Sequence, residues 1–292
     1  MSKQSVEVVL LKSPHADLKH SCIFTGVPVS KTNGEHVIPN WMRTAYDLHQ
    51  LPVEMGETLQ FAKVKEFRAP AESKANNDFG KVEDKVKNQE ASLDELHLWS
   101  KKVAVGMLWN HWRLSANERH PNAPAPFDER HLRFALQNFQ GEFELWRENR
   151  YVRTGSTVIL PRDIEGISLA HAFGATVNGG YSMTHDAIQP FGYMAINYKT
   201  SLIVSSFYDD KKLEEGGIRE RWEKSGLKAE KDFARVRAGL SAIFAEHAAE
   251  AISEFAEQDV VLDDLFKMIA YQLGIVILDN KRTYRVRTPE DA

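Results

Sequence analysis

A single cysteine, Cys22, stands among 292 residues. That excludes an internal disulfide framework and any four-thiolate zinc site, and it fits a reducing compartment. Long apolar runs are missing too. "VEVVLL" near the start and "LGIVIL" at 273–278 fall far short of the roughly 18 to 20 residues that a membrane-spanning helix needs. No basic, then apolar, then small-residue pattern opens the chain, so it reads as cytosolic and not membrane-bound. An excess of positive charge is also lacking. The formal net charge is -4, so the field of the whole molecule does not attract polyanions, and nucleic-acid binding would need a local patch. Repeats and low-complexity tracts are absent, and "NGGYS" at 178–182 lacks the Lys-Ser/Thr of a phosphate loop.

What is present suffices for a full core, since 42% of residues are hydrophobic. A chain of this length folds as one large or two medium domains. The opening "SVEVVLLKS" reads as a strand. "HSCIFTG" and "EHVIP" read as a hairpin joined through the Asn-Gly turn in "VPVSKTNG". A short helix follows in "NWMRTAYDLHQL", stopped by Pro52, then a strand in "TLQFAKVKEFRAP" and a helical segment after Pro70.

Ser92, with Glu95 three residues on, marks a capping box for a helix whose apolar stripe is Leu96, Trp99, Val103, Met107 and Leu108. The proline-rich stretch at 120–131 is the best boundary candidate, and a second amphipathic helix starts after it. Residues 155–208 are β-rich. Helical periodicity returns in "KDFARVRAGLSAIFAEHAAEAISEFAEQ" and "LDDLFKMIAYQLG", before a basic tail.

The stretch "NGEHVIPNWM" at 33–42 raises the chemical question, because it sets a carboxylate beside an imidazole where Pro39 cuts off an apolar run. Taken alone, Glu35-His36 is a solvated turn. Its context is "CIFTG" upstream and "APAESKANNDFGKVED" downstream, followed by "LDELHLWSKKVAVGMLW". In that order the segments resemble a stand-alone branch of the HNH nucleases, which have a ββα-metal core and the pattern CxxCG, EHVIP.W(L/M), P.CxxCNN.(F/W) and E. The resemblance implies an α+β protein with an HNH-like unit over 1–90 and a mixed body over 91–292. It makes His36 the general base and Glu35 and Asn76 the ligands of Mg²⁺ or Mn²⁺.

The chemistry asks for these residue types. Phosphodiester hydrolysis needs a water nucleophile, a base, and a cation on the phosphate oxygens. An imidazole with an unperturbed pKa of about 6.5 accepts a proton near neutrality, and hard cations take oxygen ligands. Adjacent strand residues face opposite ways, so Glu35 and His36 can serve one substrate only where the strand ends. Asn76 or Asn77 must then lie in the first turn of the following helix. The family's four zinc cysteines read here as Cys22, Thr25, Glu72 and Ala75, a set that cannot hold structural zinc, so packing must replace it.

Asn76 and Asn77 serve equally well as a helix cap, and Cys22 reads as a small buried residue. Trp109, Trp112 and Arg113 suggest base stacking, but core aromatics on a helix are the commoner case. His171 and "THD" at 184–186 read as packing residues. The basic run "IRERWEKSGLKAEKDFARVR", with Lys281, Arg282, Arg285 and Arg287, is the first choice for contacts to a nucleic-acid backbone, DNA before RNA. A second copy or a protein partner is a further source of basic surface. The rival to a nuclease is a non-catalytic binding or scaffold protein built on the same core. A small-molecule enzyme in the 155–208 region is weaker still.

Overall fold

Ser92 and Glu95 start the helix that organises the N-terminal half. The Ser92 N–H donates to Glu95 Oε2 at 3.0 Å and the Glu95 N–H to Ser92 Oγ at 3.2 Å, which satisfies two orphan donors reciprocally. The computed structural model describes residues 18–29, 34–50, 52–55, 60–115, 129–173, 192–207, 211–231, 235–236, 239–240, 275–277 and 284–286. Its class is mixed α+β, with helices and small antiparallel two-stranded sheets. Among the described residues no helix is long and apolar enough to cross a membrane.

Contacts divide the chain into two units, Met1–Val152 and Arg153–Ala292. The first contains β1 (Glu35–His36), α1 (Asn40–Ala45), β2 (Pro52–Met55), β3 (Gln60–Lys63), β4 (Arg68–Ala69), α2 (Ser73–Asn88), α3 (Leu93–Ser115) and α4 (Glu129–Arg147). This division differs from the one expected near residue 90. Helices α3 and α4 pack on each other and α3 also packs on α2 and β4, so the proline-rich stretch between α3 and α4 links partners within one unit. The stripe expected on α3 is buried, but so is every residue from 95 to 110. A helix buried on all sides is a core element, not an amphipathic cover.

The hairpin expected between "CIFTG" and "EHVIP" does not form. Residues 21–28 close on themselves instead, with a Ser21–Pro28 bridge and the Gly26 N–H donating to Cys22 O at 2.8 Å. Gly26 has φ +70°, and a Cβ there would lie 3.0 Å from Gln140 Oε1, so glycine is required on both counts. The partner of β1 is β4, with Glu35 opposite Ala69 and His36 opposite Arg68. Residues 67–70 lie between the two segments, accepting from the Val37 N–H at 3.1 Å and the Ile23 N–H at 2.8 Å. The single strand expected in "TLQFAKVKEFRAP" at 58–70 is interrupted by a 3-10 turn at Val64–Glu66. The Phe67 N–H bonds Val64 O within this turn, leaving Arg68–Ala69 free to pair with β1.

Aromatic packing anchors the 21–28 turn in the core. Phe24 is fully buried, with its ring centroid 5.1 Å from Phe79 on α2, and 5.9 and 5.3 Å from Phe139 and Phe143 on α4. Gln140 on α4 donates to Cys22 O at 3.3 Å and Ile23 O at 3.4 Å. The Glu72 N–H donates to Cys22 Sγ at 3.2 Å. Ala75 is buried and offers no donor atom, and Thr25 Oγ1 is buried without a hydrogen-bond partner.

The second unit is built on a long hairpin of β5 (Thr157–Phe173) and β6 (Gly192–Ser206), with a register shift between Pro161 and Gly166. Val158, Leu160, Leu202 and Val204 pack with Leu213, and with Ile218 and Trp222 of α6 (Ile218–Ser225), which follows the short α5 (Lys212–Glu215). Trp222 donates its indole N–H to Pro161 O at 2.9 Å. The part of the basic run that forms α6 therefore buries one face, through Ile218 and Trp222. A small pair, β7 (Ile275–Ile277) with β8 (Tyr284–Val286), completes the described strands. The opening strand, the "NGGYS" and "THD" stretches and most of the C-terminal helical region lie outside the described residues.

Candidate functional site at the end of the first strand

β1 is only two residues long because Pro39 follows closely and α1 begins at Asn40. The chain must turn there, and the turn is enclosed from three sides. β4 pairs with it, α2 follows β4, and α3 crosses behind it. Gly106 makes that crossing close, since a Cβ at 106 would lie 2.7 Å from Val37 Cγ2. The two carbonyls of the turn, those of His36 and Val37, are thereby left facing α3.

Lys102 satisfies them. Its ammonium is fully buried and donates to His36 O at 2.6 Å, Val37 O at 3.2 Å, Glu35 Oε1 at 2.7 Å and Glu83 Oε1 at 2.9 Å. It also lies 5.8 Å from the centroid of the Phe79 ring, within cation-π range. Burial opposes its charge, but Glu35 and Glu83 outweigh burial, and its pKa stands above the ordinary lysine value. Burial pushes the Glu83 carboxyl up. Lys102 opposes that rise and Glu35 adds to it, and the net shift is upward. One ammonium thus serves two carboxylates.

His36 is half-buried, and its Nδ1 is buried without a hydrogen-bond partner among the described residues. Its pKa is pushed down to about 4, first by burial, then by the cations Arg43 and Arg68, with Glu35 opposing and Lys102 adding a little. The imidazole is therefore neutral at pH 7, the form that accepts a proton. Arg43 on α1 is buried, bonds Asn40 Oδ1 at 2.8 Å and leaves its Nε unpartnered. Arg68 is exposed.

Asn76 is the fourth residue of α2, half-buried, and Asn77 is exposed. Neither is the helix cap, because that position falls to Glu72 and the Asn76 N–H already bonds Glu72 O at 2.9 Å. Seven residues separate Asn76 from Glu83, so the two share one helix face, about 10 Å apart along the axis. The strand end thus joins Glu35 to Glu83 through Lys102, while Asn76 lies further toward the start of α2. Among the described residues no group of three or more His, Cys, Asp or Glu is placed to hold a metal ion.

Other candidates are placed elsewhere. Trp109 is buried and donates its indole N–H to Leu18 O at 3.1 Å, with the Arg113 guanidinium 5.5 Å from its ring centroid. It is a core aromatic. Cys22 is buried. His171 lies in β5 opposite Met194, and Arg285 in β8 opposite Val276. Lys281, Arg282 and Arg287 fall outside the described residues.

Glu83 and Lys102 are the site members that residue-by-residue reading passed over. Their signals were present: a lysine pair in the middle of an apolar helix, and the Glu next to the end of the "ANNDFGKVED" segment. A buried lysine requires partners, but the sequence does not say which carboxylates they are. Comparison of the chain with family models, curated proteins and solved structures finds no match.

Proposed function

We infer that the N-terminal unit is an HNH-like nuclease core that hydrolyses nucleic-acid phosphodiesters, DNA first, with His36 as general base. The observation that carries this reading is the environment of His36. A neutral imidazole sits at a strand end with Glu35 beside it and Arg43, Arg68 and Lys102 close enough to depress its pKa. Fixed positive charge suits an anionic substrate, and a bound phosphate would offset the cations that hold the imidazole pKa down, returning basicity to His36. An antiparallel β1–β4 pair followed by α2, with α1, β2 and β3 inserted between the two strands, supports this reading.

In this reading His36 takes the proton from the attacking water. Arg68, exposed on β4, draws the phosphate toward it, while Arg43 adds fixed positive potential from α1. Glu35 and Asn76 are the residues that would hold Mg²⁺ or Mn²⁺, one carboxylate and one amide oxygen of the hard type such ions prefer. When bound, the ion supplies neutralisation of charge on the phosphate. Structural zinc does not fit: of the four positions only Cys22 carries sulfur, and Ala75 has no donor atom.

A second reading has one specific observation in its favour. The ion pair between Lys102 and Glu35 at 2.7 Å already neutralises the carboxylate assigned to the metal, which suits a core kept for binding or scaffolding without cleavage. Incubation of the full chain with supercoiled DNA and Mg²⁺, beside His36→Ala, separates the two. The nuclease reading requires cleavage that falls at least about a hundredfold in the variant. Equal cleavage by both proteins refutes the assignment, and no cleavage by either favours the scaffold.

A further inference from the structure

The geometry points to Lys102 as the residue that positions the His36 imidazole, a role that rests on the nuclease reading above and extends it to a residue on α3. A lysine ammonium has three protons. Here they meet four oxygens at 2.6 to 3.2 Å, two of which are the carbonyls of His36 and of the residue after it. Holding two successive carbonyls fixes the peptide planes on the C-terminal side of His36, and with them the direction in which its side chain leaves the backbone.

β1 does this only in part: past His36 the Val37 N–H bonds Phe67 O at 3.1 Å, while the carbonyls of His36 and Val37 rely on Lys102. Residues of a two-residue strand that runs into a proline turn have few backbone bonds to orient them. The Glu83 bond ties the same ammonium to α2, the helix that carries Asn76, so one side chain sets the strand end and the helix face relative to each other. Gly106, one turn further along α3, permits the approach by leaving room for Val37. Lys102 itself is fully buried and does not touch substrate.

The test uses the full chain and the double variant Lys102→Met/Glu83→Gln, which removes the ammonium without leaving Glu83 as an unpaired buried carboxylate. Ring ¹⁵N shifts of His36 report its tautomer, and DNA cleavage with Mg²⁺ gives kcat and KM. The expected result is a single tautomer in the wild type and a mixture in the variant, with kcat falling about thirtyfold and KM staying within about twofold.

A folded variant that keeps the wild-type tautomer and kcat overturns the proposal. If the wild type does not cleave DNA, the nuclease reading fails, and the tautomer readout still decides whether Lys102 sets the imidazole. If the double variant does not fold, Gly106→Ala takes its place, since its Cβ would press on Val37 and move α3 off the strand end. The same shifts in tautomer and kcat support the proposal, and their absence in folded Gly106→Ala overturns it.

Discussion

Phe24→Ala tests whether aromatic packing does for this unit what zinc does in the family it resembles. Phe24 is fully buried and its ring lies 5.1 to 5.9 Å from the centroids of three other phenylalanines. Truncating a buried Phe to Ala costs about 3–5 kcal/mol, which includes the cavity left behind. Three aromatic neighbours at these separations place Phe24 toward the upper end of that range, since each pair adds about 0.5–1.5 kcal/mol beyond area burial. For a unit of this size 1 kcal/mol shifts Tm by about 2–4 °C, so the expected drop is about 10 °C or more.

The turn carrying Cys22 should also loosen, since Phe24 is its main anchor into the core. The thiol, buried in the wild type, should then react with a thiol reagent at a rate many times higher. Thermal or urea unfolding and thiol titration measure both effects, and a zinc-selective chelator serves as the comparison. The reasoning fails if Phe24→Ala costs less than about 1 kcal/mol, or if the chelator lowers the Tm of the wild type.

Four other outcomes follow from the same structure. Lys102→Met alone leaves Glu35 and Glu83 without their shared cation and should destabilise the fold by about 3–5 kcal/mol in urea unfolding, whereas adding Glu83→Gln should restore part of that loss. His36 has a folded-state pKa of about 4, below its unfolded value of about 6.5. The unfolded chain therefore binds more protons between those values, and the His36 contribution to stability is fully present above about pH 6.5 and is lost as pH falls toward 4; comparing wild type with His36→Ala in urea at pH 5 and 7 isolates it. By the same shift, DNA cleavage limited by the His36 base should persist down to about pH 5, and an acid limb near 6.5 in kcat/KM would contradict the neutral imidazole. Asn76→Ala should raise the Mg²⁺ concentration needed for half-maximal cleavage and slow cleavage about tenfold or more while leaving Tm nearly unchanged, as its half-buried side chain sits at the start of α2.

Local signals in the sequence placed the helices well. The Ser92–Glu95 box, Pro39 before α1 and Pro70 before α2 each act through a few neighbouring residues, and each lies where the structure starts or stops an element. Strand pairing was not legible in the same way. Glu35–His36 has its partner at Arg68–Ala69, and nothing within "CIFTG" or "EHVIP" says that residues 67–70 lie between them. The Asn-Gly dipeptide suggested a local turn and so drew the pairing toward the nearer segment.

The site was half legible for a related reason. Glu35, His36 and Asn76 carry their chemistry in short motifs. The ammonium that bonds Glu35 and the His36 carbonyl comes from Lys102, 67 residues after Glu35, and only packing in three dimensions shows that a lysine amid apolar helix residues is buried with two carboxylates. Positive charge near His36 was hidden likewise, because Arg43 and Arg68 come from different elements and the net charge of the chain is negative.

Lys101 and Lys102 stand side by side on α3, both buried, yet they reach opposite ways: Lys101 to Glu142 on α4 at 2.6 Å, and Lys102 to Glu35 and Glu83. Neighbouring helix positions differ by about 100° of rotation, so the pair works like a key with two teeth cut at an angle. Turning α3, or sliding it by one residue, would strand both charges in an apolar interior at once. Sequence change at either tooth is therefore tolerated only together with its counterpart, and the two sides of the helix are free to drift independently of each other.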